Sequence, residues 1–190
     1  MNREDIKKYL QMLGQELQKQ DVTGQILLAE GVVMLLDVRK PEDVKDVDAY
    51  VAYLRGEGPP VERRKDIDVR FGGRGAAIRE VAARIARSEG LPDSWLQGAL
   101  KEFFFTLPSR EKWMEYPGLR AYVAPREYVL AMKVAAFGCP QDIEDIKMLA
   151  RKLQISTAQD MLTCIMKYIP EELLTTEMRL HVEQAFVPAL

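Results

Sequence analysis

Lys65-Asp66-Ile67-Asp68-Val69-Arg70-Phe71 carries two carboxylates one residue apart in a run of strict two-residue alternation. In an extended strand Ile67, Val69 and Phe71 share one face, so Asp66 and Asp68 project together from the other. Two carboxylates converging in this way hold a hard divalent cation such as magnesium, the minimum metal site of phosphoryl- or nucleotidyl-transfer chemistry. Any solvated sheet surface also alternates charge, so the pair must be read with its surroundings.

Downstream, Gly72-Gly73 turns the chain into a helix with Ile78, Val81, Ala82, Ile85 and Ala86 on one face. Pro92 opens a further expected helix holding Trp95, Leu96, Leu100 and Phe103 to Phe105. Leu119 to Val123 reads as a short strand, and Pro125 leads into a helix that runs through Lys133 to about Phe137. Asp142 to Leu153 forms the next helix, Ser156-Thr157-Ala158-Gln159 a capping box for another to about Ile169, and Thr176 to Phe186 the last.

Upstream, Asn2 caps an amphipathic helix with Ile6, Leu10, Leu13 and Leu17 inward. Gln25 to Ala29 then reads as a buried strand, Glu30-Gly31 as a tight turn and Val32 to Leu36 as the start of a helix. Asp46-Val47-Asp48 repeats the carboxylate spacing, yet Val44, Val47, Tyr50, Val51 and Leu54 recur at three- and four-residue steps behind Pro41. That period predicts a helix, on which residues two apart do not face each other, so Asp46 and Asp48 read as solvated surface.

Lys and Arg number 27 against 29 Asp and Glu, a net charge of −2 that gives no global field for nucleic acid or an anionic membrane. Cys139 and Cys164 fit no paired metal spacing and read as small buried hydrophobes of a reducing compartment, while the single histidine, His181, leaves zinc and Ser-His schemes without parts. The amphipathic N-terminus and the absence of a spanning run predict a cytoplasmic protein. The expected class is α+β with an α/β-like order. A sheet-and-helix core over 1–124 and a C-terminal helical region over 125–190 form one cooperative unit.

The polar residues that could act together are Gly31 at the first turn, Asp66 and Asp68, Lys133 on a largely apolar helix, and Asp142 with Asp145. A glycine turn offers backbone amides to phosphate, carboxylates hold the bridging metal, and a lysine balances phosphate charge. Each also has a plain structural reading: a turn, a snorkelling side chain, and first-turn carboxylates set against a helix dipole.

In this order they resemble the nucleotidyltransferase fold of the polymerase-beta superfamily, a small mixed sheet with flanking helices. More closely, the chain is similar to small bacterial nucleotidyltransferase-like proteins related to those of abortive-infection and toxin–antitoxin systems. The resemblance covers most of the chain. It is carried by Leu28-Ala29-Glu30-Gly31-Val32-Val33-Met34, by Lys65 to Phe71 and the helix after it, and by Gly90 to Leu96. It continues through Gly118 to Ala124 with Tyr128 to Lys133, and ends on Asp142-Ile143-Glu144-Asp145-Ile146.

The resemblance implies Mg2+ or Mn2+ on Asp66 and Asp68, with a nucleoside triphosphate contacted by Gly31 and Lys133. Asp142 and Asp145 would be accessory, and the nucleotide would pass to a protein, tRNA or small-molecule acceptor. The chain departs from the pattern in four ways: Glu30 replaces a small turn residue, Gln141 replaces a basic one, Leu119 to Val123 has no third acid, and the segment from about Asp37 to Arg64 is longer than the usual connection. Asp46 and Asp48 stand at the family's usual distance from Gly31, but that alignment is rejected, because the helical period around Val44 to Leu54 is inconsistent with a strand and the match downstream of Asp68 runs on without a gap. The departures support a catalytically impaired binding module with a protein partner, as in a toxin–antitoxin pair. A helical interaction protein is the third reading.

Overall fold

Asn2 begins the first helix by the means its sequence offers, accepting from the amides of Glu4 and Asp5 at 2.9 Å while Asp5 accepts from the Asn2 amide. The computed structural model describes residues 2–35, 47–51, 72–97, 111–136 and 140–187. Helix α1 spans Arg3–Lys19 and buries Ile6, Leu10, Leu13 and Leu17. Asn2→Ala removes both capping bonds and is expected to cost about 1 kcal/mol, measured by urea titration followed by circular dichroism.

Strand β1 is Gly24–Leu28, buried throughout, and helix α2 is Glu30–Val33. Strand β2 is Val47–Val51, α3 is Gly72–Glu89 and β3 is Leu96–Gln97. Strands β4, Glu111–Tyr116, and β5, Leu119–Val123, form a hairpin across Pro117-Gly118. Then come α4, Arg126–Ala135; α5, Pro140–Lys152; α6, Ala158–Ile165; a 3-10 turn, Glu171–Leu173; and α7, Thr176–Gln184. The protein is α+β, with sheet order β3-β2-β1-β5-β4. β1 and β5 run parallel, as do β2 and β3, while the β1–β2 and β4–β5 pairs are antiparallel.

Period-two alternation along β1 divides the apolar core in two. Ile26 and Leu28 face one way and pack with α1, α3, Trp95, Leu119 and Ala121. Leu27 faces the other way and packs with α4, α5, α6 and α7. Helices therefore cover both faces, which explains why β1 is buried along its length, Gln25 included, rather than alternating between buried and exposed.

Three expectations are corrected. Val47 to Val51 is a strand, not part of a helix from Val44 to Leu54: Val47, Ala49 and Val51 also alternate, and pairing with β1 on one side and β3 on the other decides between the two periods. Pro92 opens a turn closed by the Trp95 amide on the Pro92 carbonyl at 2.9 Å, not a helix. Trp95 is fully buried, with Nε1 donating to the Ala82 carbonyl at 2.9 Å, and the chain beyond it enters β3. Thr157, not Ser156, caps α6 by accepting from the Asp160 amide at 3.1 Å. The expected strand at Lys65 to Phe71, with Asp66 and Asp68, lies outside the described residues, as do Leu100, Phe103 to Phe105 and Cys139.

Candidate functional site

The carboxyl ends of β1 and β5 lie level, with Leu28 opposite Val123 and the Ala124 amide donating to the Leu28 carbonyl at 2.9 Å. Beyond that edge β1 gives way to α2 and β5 to α4. The carboxyl edge of parallel strands is the usual place for a ligand in such sheets, because the helices that follow turn their amide ends toward it. Gly31 is the second residue of α2, so it belongs to the helix's first turn rather than to a separate tight turn.

β2 approaches this edge from the opposite direction. Ala49 pairs with Leu28, the last residue of β1, so Asp48 continues β2 one residue past the end of β1, on the side where the chain enters α2. Asp48 also pairs with Gln97 of β3. Asp46, two residues back, lies outside the described residues. The acid that helical periodicity assigns to a solvated face is thus on a strand at the sheet edge nearest the glycine. A cation reaches the same edge from β5: Arg126, the first residue of α4, is half-buried there. Sequence reasoning passes over Arg126, although a strand followed by Pro125-Arg126 marks a charged side chain at a helix entry.

Lys133 sits in the last turn of α4, seven residues and roughly 10 Å along the axis from Arg126. Its Nζ lies 3.0 Å from Asp142 Oδ1 and 3.0 Å from Asp145 Oδ2, both carried by α5. The side chains of Lys133 and Asp142 are each 16% exposed and that of Asp145 is 5% exposed. Three residues apart on a helix, the two carboxylates share a face and grip one ammonium. The three expected site residues Lys133, Asp142 and Asp145 are therefore brought together as an α4–α5 ion pair. A phosphate at Lys133 would have to displace two carboxylates from a poorly hydrated place.

Cys164 is buried, and burial pushes its thiol up from the ordinary value, so it stays protonated and packs as an apolar group. His181 lies on α7 with Nδ1 3.4 Å from the Val134 carbonyl, a tie between helices rather than a metal ligand. Among the described residues no three His, Cys, Asp or Glu side chains gather to hold a metal ion, and no helix is long and apolar enough to cross a membrane. Comparison of the chain with protein-family models, curated proteins and solved structures finds no match.

Proposed function

We propose that this chain is a metal-dependent nucleotidyltransferase. It would pass a nucleoside monophosphate from a nucleoside triphosphate to an acceptor hydroxyl and release pyrophosphate. The observation that carries the reading is the shared edge. There the carboxyl ends of β1 and β5 lie in register, the first turn of α2 with Gly31 follows β1, and the start of β2 with Asp48 runs past the same edge.

In this reading Asp46 and Asp48 are the metal carboxylates, ahead of Asp66 and Asp68. Asp48 lies on a strand, β2, rather than on a helix, and that strand pairs with β1 just before the glycine-bearing turn. Asp46 and Asp48 would hold Mg2+ or Mn2+, and the bound ion would supply Lewis-acid charge to the triphosphate. Gly31, lacking a side chain, lets phosphate approach the amides of the α2 turn, and Arg126 supplies a permanent cation to the triphosphate. Lys133 would contribute only by leaving Asp142 and Asp145.

A second reading has its own support. β5 is Leu119-Arg120-Ala121-Tyr122-Val123 and brings no carboxylate to the edge, so it provides no base for an acceptor hydroxyl. The same site would then bind nucleotide without transferring it, as one partner of a toxin–antitoxin-like pair.

Calorimetric titration of the four nucleoside triphosphates with Mg2+ tests the site. Binding is expected to weaken at least thirtyfold, about 2 kcal/mol, in Asp46→Asn/Asp48→Asn and to be nearly unchanged in Asp66→Asn/Asp68→Asn. The opposite ranking would return the metal to the second pair. If no triphosphate binds, both readings fail. Transfer of labelled nucleotide onto lysate components then separates enzyme from binding module.

A further inference from the structure

Among the described residues the large hydrophobic side chains that face water are Leu173, Leu180 and Val187, exposed by 40%, 49% and 57%. They recur at seven-residue steps near the carboxyl end of the chain. Leu180 lies in the middle of α7, and its neighbours three and four residues away, Thr176, Glu177, Glu183 and Gln184, are all exposed. Met178, Val182 and Ala185 occupy the opposite side of the same segment and pack into the core. α7 therefore has one face committed to the fold and a second that carries Leu180 outward, with Val187 seven residues on. Leu173 ends the 3-10 turn that leads into it.

Charge decides what can cover this face. Glu171, Glu172, Glu177 and Glu183 are exposed around the apolar residues and form no ion pair among the described residues. From Tyr168 to Val187 the one permanent cation is Arg179, so this short segment is more acidic than the whole chain at −2. A second copy of the face would set glutamates against glutamates, and nucleic acid or an anionic membrane would be repelled in the same way. A cationic amphipathic helix meets both requirements: leucine-like side chains to cover Leu180 and its exposed apolar neighbours, and Lys or Arg on its flanks for the four carboxylates.

We infer that the exposed face of α7, with Leu173 and Val187 at its ends, docks a basic amphipathic helix of another protein. The inference is independent of the nucleotide site. It is tested with a synthetic amphipathic helix of leucine and lysine and its leucine–glutamate counterpart, each titrated into the full chain at moderate salt.

The lysine peptide is expected to bind and the glutamate peptide not to. Leu180→Ser should weaken the lysine peptide at least tenfold without changing the melting temperature. Glu177→Lys/Glu183→Lys should reverse the preference and take up the glutamate peptide instead. Equal binding of both peptides, an affinity indifferent to Leu180→Ser, or no binding of the lysine peptide to a folded chain overturns the inference. So does sedimentation showing a dimer that Leu180→Ser dissociates, which would make the face a contact between copies.

Discussion

Gly118→Ala is expected to destabilise the protein by about 3 kcal/mol or more, lowering the melting temperature by roughly 6–12 °C for a chain of this size. Two independent causes add. Gly118 has φ +76°, a conformation that costs a residue with a side chain about 1–2 kcal/mol. A Cβ there would also run into the Gly14 carbonyl oxygen and come within 2.7 Å of the Gln18 amide nitrogen, both backbone atoms of α1. Backbone in a helix cannot swing aside as a side-chain end can, so α1 must move off the β4–β5 hairpin.

Gly90→Ala is the control. Its φ is +68°, but a Cβ would meet nothing within 4 Å, so only the conformational cost of about 1 kcal/mol remains. Equal losses in the two variants would refute the close approach of α1. Gly14 shows the same contact from the other side, since a Cβ on it would lie 2.7 Å from the Pro117 carbonyl oxygen. A mid-helix glycine, costly in itself, is thereby explained by the hairpin it admits.

Where the chain buries one face of a long helix, its sequence was legible. α1 and α3 show apolar residues at three- and four-residue spacing and these are the residues that pack, while α5 packs Ile146 and Leu149, with Leu153 just past its end, of the face its spacing marks. Short strands are harder, for different reasons in each case. In β2 the steps Val44-Val47-Val51 and Val47-Ala49-Val51 satisfy both periods over so few residues, and partners on both sides decide. β4 is the edge strand, Glu111-Lys112-Trp113-Met114-Glu115-Tyr116, half exposed and irregular between Lys112 and Met114, so its polarity hides it. Of the candidate site, the strand-to-helix passage at Gly31 could be read locally, because neighbouring residues define it. The position of Asp48 could not, because it depends on which strand lies beside β1. The meeting of Lys133 with Asp142 and Asp145 likewise depends on how α5 packs against α4, which no spacing within either helix encodes.

That meeting carries the other large effect. Lys133→Met is expected to cost about 3–5 kcal/mol, because it leaves Asp142 and the almost fully buried Asp145 without the ammonium that offsets their desolvation. Asp145→Asn should cost less in the Lys133→Met background than in the parent, with a coupling of at least about 1 kcal/mol in a double-mutant cycle. Additive losses would mean that the contact contributes nothing to stability. The same variant separates the two uses of the lysine. Below the variant's melting temperature, a lysine that clamps α4 to α5 leaves the affinity of the folded protein for Mg2+ and nucleoside triphosphate unchanged. A lysine that trades its carboxylates for phosphate weakens that affinity tenfold or more. The first outcome is expected: a phosphate at Lys133 would separate Asp142 and Asp145 from their shared cation.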